Sequence, residues 1–165
     1  MNVRVLGIDC GSRITGYGVI DTDGVDCFLV QCGAIRLNPG DSLPARLHSI
    51  HGALAKIIAT FKPDVAAFEN IFYASNAQSA LKLGHVRGAS IVAAAAASLP
   101  VFEYSPLEVK GAVTGYGRAE KSQVQQMVQA LLKLSAPPEP YDASDALAVA
   151  ICHVHSNRYK AATTV

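Results

Sequence analysis

Two apolar runs in this 165-residue chain end in a carboxylate. Val3 to Ile8 leads inward and Asp9 follows as the first ionisable group beyond it; Asp64-Val65-Ala66-Ala67-Phe68-Glu69 repeats the pattern. A carboxylate at the exit of a buried strand is expensive unless something cationic meets it. Asp142 and Asp145, three apart, share one face of a helix. Alone, that pair reads as favourable charge at a helix N-terminus, worth ~0.3–1 kcal/mol. If the two runs are neighbouring parallel strands, however, Asp9 and Glu69 reach one sheet edge and all four acids can converge. Two carboxylates ~4 Å apart repel by about 4 kcal/mol at an effective dielectric of 20, so protons or cations must neutralise the group. Oxygen ligands favour Mg²⁺, with Mn²⁺ as a substitute, and the histidines and cysteines are not spaced to compete. Two such ions ~3.5–4 Å apart activate a water and stabilise the leaving oxygen in an in-line phosphodiester displacement.

The elements that must place these acids follow from the pattern around them. Val3–Asp9 reads as a first strand. Gly11-Ser12-Arg13 turns into a second, Thr15 to Ile20, and Asp21-Thr22-Asp23-Gly24 is a hairpin signal into a third, from Cys27 to about Leu37. Asp41 or Ser42 caps a helix with apolar positions Leu43, Leu47, Ile50, Leu54, Ile57 and Ile58, ending near Phe61-Lys62-Pro63. After the Glu69 strand, Ser75 or Asn76 caps a long helix to about Ser98. Pro100 to Tyr104 is a short fifth strand, and Ser105-Pro106 opens a helical turn that Gly111 to Gly117 interrupts. A helix from Glu120 to Leu134, a linker at Pro137-Pro138-Glu139-Pro140 and a last helix from Asp142 to His155 complete the order. The expected fold is α/β: a five-stranded mixed sheet, an antiparallel meander plus two parallel strands, flanked by helices. One domain spans residues 1–155, and 156–165, without apolar periodicity, is expected to be a flexible tail.

Composition bounds the partners less sharply. Half the residues are apolar, enough for one core, and the net charge of +1 neither announces nor excludes nucleic acid. Between Asn70 and Ser135, though, Lys82, Arg87, Lys110, Arg118, Lys121 and Lys133 outnumber Glu103, Glu108 and Glu120. No signal peptide precedes the first strand and the four cysteines form no C-x-x-C pair, so a reduced, cytoplasmic protein is expected. The apolar run from Ile91 to Leu99 is about half the ~20 residues of a membrane span, and no membrane partner is expected.

Taken together, Gly7-Ile8-Asp9-x-Gly11-Ser12-Arg13-x-Thr15-Gly16-Tyr17-Gly18, the Glu69 strand end, Ser79 to Gly84, Ala119 to Val124 and Asp142-Ala143-Ser144-Asp145-Ala146-Leu147-Ala148 resemble the RuvC family of Holliday-junction resolvases. The match spans nearly the whole chain in order. The resemblance implies a ribonuclease-H-like fold and a homodimeric, Mg²⁺-dependent endonuclease that nicks two opposed strands of a four-way DNA junction in recombination and repair. It also implies cooperation with RuvA and RuvB. Asp9, Glu69, Asp142 and Asp145 match its acidic positions and would be catalytic groups and metal ligands. Phe72 falls where the family places an aromatic near the junction centre, and Lys110 and Lys121 match its DNA-contact positions.

The residues bear independent readings. Phe72 and the adjacent Tyr73 stack on unpaired bases or fold back as a lid on the core. Lys110, Arg118 and Lys121 flank a glycine-rich stretch where cations would hold phosphate against the repulsion of the acids, with Arg13 a weaker candidate. The histidines read as surface or packing residues. Gly84 and Gly88 weaken their helix by roughly 1 kcal/mol each, which suits close contact with another backbone or with the protein's own sheet. With Ala80 and Val92 they make a candidate dimer face, since an isologous dimer presents two equal sites to a two-fold junction. Two alternatives stand beside the nuclease reading. A phosphotransferase of the actin or sugar-kinase type also opens with D-x-G, but would need a second lobe; no nucleotide cofactor is expected. A junction-binding protein without catalysis would need an incomplete acidic set.

Overall fold

The computed structural model describes residues 2–70 and 76–162, with the side chains of the last helix described through Asn157. In chain order it contains β1 (Val3–Asp9), β2 (Ile14–Thr22), β3 (Cys27–Arg36), α1 (Leu43–Phe61), β4 (Val65–Glu69), α2 (Ala77–Ala96), β5 (Val101–Tyr104), α3 (Pro106–Thr114), α4 (Lys121–Leu131) and α5 (Tyr141–Ala162). One sheet joins the strands in the order β3-β2-β1-β4-β5. β1, β2 and β3 pair antiparallel, whereas β1–β4 and β4–β5 are parallel, which is the mixed sheet expected.

Local chemistry explains most boundaries. The β2–β3 turn is closed by Asp23, whose Oδ1 accepts from the backbone N–H groups of Val25 and Asp26, while Gly24 supplies the positive φ of 93°. Arg4, the charged residue inside the first apolar run, lies opposite Asp21 in register and grips both its carboxylate oxygens, at 2.7 and 2.8 Å. Ser42 caps α1 through Ala45 N–H, and the chain leaves that helix through Lys62 in the left-handed region.

The alternation of strand side chains decides what each face carries. Leu6 and Ile8 from β1, with Cys10 just beyond it, join Ala66 and Phe68 from β4 in a core under α1 and α2. Val5 and Ala67 face the other way, into a core built with α3, α4 and α5. Asp9 and Glu69 continue that second set, four residues beyond Val5 and two beyond Ala67, so both acids belong to the face covered by α5.

That helix lies unusually near the sheet. A Cβ on Gly7 would collide with the carbonyl oxygen of Ala146, and one on Gly16 with the carbonyl oxygen of Asp142. Gly7 pairs with Gly18 and Gly16 with Asp9, so the bare patch sits beside Asp9 itself. Only residues lacking a side chain allow the start of α5 to come this close.

Four expectations change. α3 runs through Gly111 to Thr114 and closes at Gly115, because a Ser105–Glu108 capping box starts it and Val109 and Val113 bury its inner face. α4 stops at Leu131, where Lys133 turns left-handed at φ 54° and Leu134 N–H bonds back to Gln129 O. α5 continues past His155 to Ala162; its apolar period ends where the core ends, but backbone hydrogen bonding needs no core. Finally, nothing lies within 4 Å of a Cβ at Gly84 or Gly88, so neither packs on the protein's own sheet.

Candidate active site

Parallel pairing of β1 with β4 brings two strand C-termini together. Ile8 lies opposite Phe68, and the next residues are Asp9 and Glu69. α5 crosses the glycine patch above them and supplies Asp142 in its first turn and Asp145 one turn on. A cleft of about 250 Å³ results, lined by the acids Asp9, Glu69 and Asp145, the bases Lys110 and Lys121, and the apolar walls Val109, Val124 and Ala148. Asp142 is partly buried beside it without lining it. α3 contributes Lys110 from its capped first half, and α4 contributes Lys121 as its first residue.

The electrostatics show how closely the acids are set. Burial, then the charges of Glu69, Asp145 and Asp142, push the Asp9 carboxyl up to about 8, with Lys121 as the opposing influence. Burial and Asp145 also raise Glu69, while Lys110 and Lys121 pull it back. Partial burial works against the Lys121 ammonium, yet the hydrogen bond to Asp145 and the charges of Asp145, Asp9 and Asp142 outweigh it, and its pKa stands above the ordinary lysine value. Lys121 Nζ lies 3.1 Å from Asp145 Oδ2.

Among the described residues no three histidine, cysteine, aspartate or glutamate side chains are drawn together tightly enough to hold an ion as they stand. The donor chemistry nevertheless fits a hard divalent cation: carboxylate oxygens that repel one another, with the Asp9 carboxyl raised to about 8 and the Lys121 ammonium set against Asp145. No cysteine lines the cleft; all four are free, and Cys10, Cys27 and Cys152 are buried.

The remaining candidates from the sequence fall in separate places. Arg118 is exposed in the α3–α4 connection and does not line the cleft. Arg13 is exposed in the β1–β2 turn and lines a separate cavity. Phe72 and Tyr73 lie outside the described residues. Ala80, Gly84, Gly88 and Val92 are all exposed along α2. His153 is buried, its Nδ1 2.8 Å from the Tyr104 hydroxyl, in agreement with a packing role. Sequence reasoning missed the Lys121–Asp145 pair and the glycine floor under α5. The signal for the floor was present, as Gly7, Gly16 and Gly18 at alternate positions of neighbouring strands.

Sheet order, acidic strand ends and basic walls together define the class: a ribonuclease-H-like nuclease. The family model for crossover junction endodeoxyribonuclease RuvC matches residues 5–153, and the chain belongs to that family. It is 56% identical over 155 residues to the crossover junction endodeoxyribonuclease RuvC of Geotalea uraniireducens, covering 94% of this chain and 90% of that one. It is likewise 56% identical over 158 residues to the RuvC of Shewanella piezotolerans, covering 96% and 90%. The structure of Thermus thermophilus RuvC in complex with Holliday junction substrate superposes with a TM-score of 0.91 at 33% identity, covering 96% of each chain.

Proposed function

We propose that this protein resolves four-way DNA junctions by hydrolysing phosphodiester bonds on two opposed strands, with Mg²⁺ as its natural cofactor. The observation that carries the reading is the cleft itself, lined together by Asp9, Glu69, Asp145, Lys110 and Lys121, in a chain of this family. Asp9, Glu69, Asp142 and Asp145 would hold two divalent ions, which when bound supply an activated water and neutralise charge on the leaving oxygen. Lys110 and Lys121 would draw the DNA backbone in against the acids, and Lys121, 3.1 Å from Asp145, offsets the negative charge of that carboxylate. Val109, Val124 and Ala148 narrow the cleft and limit the water that reaches it. Phe72 and Tyr73, close in sequence to Glu69, supply aromatic faces for unpaired bases.

A two-fold junction needs two such clefts at fixed separation, and the exposed face of α2 formed by Ala80, Gly84, Gly88 and Val92 is the proposed contact between two copies. RuvA and RuvB are the proposed branch-migration partners. Residues 1–155 would act as the single nuclease domain. The proposed place of action is the cytoplasm; among the described residues no helix is long and apolar enough to cross a membrane.

The decisive experiment compares wild type with Asp9→Asn on a mobile four-way junction and on linear duplex, with and without Mg²⁺. Wild type is expected to cut the junction selectively and only with the ion. Asp9→Asn is expected to bind the junction about as well, because the carboxyl it replaces, raised to about 8, carries little charge in the ion-free cleft near neutral pH, and to leave the junction uncut. Undiminished cutting by Asp9→Asn would remove this carboxylate from the mechanism.

A further inference from the structure

A second cavity, about 380 Å³, opens on the other side of the β1–β2 turn and is lined by Ser12, Arg13, Pro39, Arg46, Ser79 and Lys82. Its parts come from three places in the chain: the turn after Asp9, the region entering α1, and the first turns of α2. Three cations and two hydroxyls line it, and no carboxylate does. None of Arg13, Arg46 and Lys82 forms an ion pair among the described residues. Asp41, the acid in the connection before α1, is occupied by Asn38 Nδ2 at 3.0 Å. Moreover, the Nε of Arg46 is buried without a hydrogen-bond acceptor, an arrangement proteins rarely leave unmet. Ser79 lies in the first turn of α2, so the positive end of that helix dipole adds to the same field.

From this geometry we infer that the Ser12–Arg13–Arg46–Ser79–Lys82 cavity binds a backbone phosphodiester of the DNA, separately from the lysines of the cleft. The inference rests on the proposed function. A phosphate offers what the cavity lacks: negative charge and several acceptor oxygens for guanidinium, ammonium and hydroxyl donors. Location favours a nucleic-acid phosphate over a free one. Arg13 follows Asp9 by four residues, so at ~3.6 Å per residue their backbones stand at most ~14 Å apart. A strand advances ~3.4 Å per nucleotide, so the turn that carries Arg13 lies within a few nucleotides of the acids along a bound strand. α1 and α2 cover the sheet face opposite α5, so the cavity grips DNA from the side that Lys110 and Lys121 do not reach. Arg46 and Lys82 thereby become positioning residues for the scissile strand or for the arm next to it.

The test uses the intact protein and Arg46→Gln, Lys82→Gln, the double variant and Arg46→Lys, with four-way junction binding measured without divalent ions across a salt series. The double variant is expected to bind roughly tenfold more weakly and to flatten the slope of log K against log salt by about 1, the signature of one lost phosphate contact. Arg46→Lys should restore much of the slope, and in cutting assays the change should fall on KM more than on kcat. Should Arg46→Gln fail to fold, Lys82→Gln, with its exposed side chain, carries the same slope measurement. Affinity and slope unchanged in variants of a protein whose wild type binds and cuts junctions would overturn the inference and leave the proposed function standing. A wild type that neither binds nor cuts four-way DNA would instead defeat the proposed function. Calorimetry with inorganic phosphate is the remaining arm: phosphate binding that the double variant loses, with junction binding unmoved, would make this a free-anion site and overturn the backbone assignment.

Discussion

Lys121 Nζ stands 3.1 Å from Asp145 Oδ2, so a cation at the start of α4 bridges an acid presented by α5. The lysine side chain remains 67% exposed, which keeps the pair weak in stability terms but leaves the ammonium within reach of a phosphate. Lys121→Gln removes the cation that pulls Asp9 down and the lesser of two that pull Glu69 down, so Asp9 above all should hold its proton to still higher pH. Carboxyl ¹³C titration would show it, and an unmoved Asp9 would uncouple the two. The same variant should bind DNA with a salt slope about 1 shallower.

Asp9 contributes strongly to the pH dependence of the ion-free protein. Its carboxyl is raised from 3.8 to about 8, first by burial and then by Glu69, Asp145 and Asp142. Between those two values the folded state holds a proton that the unfolded chain has released. Stability is therefore greatest below the lower value, falls as pH rises across the window, and has lost this contribution above the upper one. The loss is on the order of several kcal/mol at 1.36 kcal/mol per unit. Urea unfolding with a chelator should give a lower midpoint at pH 9 than at pH 5. Asp9→Asn should flatten that difference. Addition of Mg²⁺ at the higher pH should recover the loss in wild type, and equal pH dependence in Asp9→Asn would place its origin elsewhere.

The close approach of α5 to the sheet predicts which small substitution does the most damage. Ala at Gly16 would drive a methyl group into the carbonyl of Asp142, a backbone atom that has no rotamer with which to yield. Gly16→Ala should destabilise the protein by about 1–3 kcal/mol and lift the first turn of α5, carrying Asp142 away from Asp9. Thermal melting reads the first effect. The second is read by Asp9, whose carboxyl should titrate lower as one neighbouring charge recedes. A Gly40→Ala control, where the nearest atom is the side-chain amide oxygen of Asn38 at 3.4 Å, should leave both unchanged.

Much of the site was legible because strand ends and helix turns are short-range features. Asp9 and Glu69 each close an apolar run, and a parallel pairing of those runs was enough to put them at one edge. The spacing of Asp142 and Asp145 gave their common face. What lay beyond reach depended on how separate elements meet. Gly7, Gly16 and Gly18 mark a bare patch on neighbouring strands, but what fills it is decided by the path of α5. Arg46 sits on an amphipathic helix where any cation would suit the solvent face, and only assembly of α1, α2 and the β1–β2 turn sets it beside Arg13 and Lys82. The end of α5 escapes the sequence for a related reason: Ser156 and Asn157 follow the last core-facing residue, so no hydrophobic period marks a helix that its own backbone continues.

The exposed face of α2 offers a test of assembly that does not endanger the fold. A Cβ at Gly88 would meet nothing within 4 Å, and Val92, one turn further, is 56% exposed. Leucine at Gly88 therefore meets no clash within one copy and improves helix propensity by up to about 1 kcal/mol. Two copies meeting along Ala80, Gly84, Gly88 and Val92 would be forced apart by the same side chain, because close approach of helices depends on small residues. Gly88→Leu should accordingly remain folded and sediment as a monomer, while wild type is expected to sediment as a dimer. Junction binding by the monomer should weaken, and paired nicking of opposed strands should give way to single nicks. A Gly88→Leu protein that still sediments as a dimer would move the contact off this face.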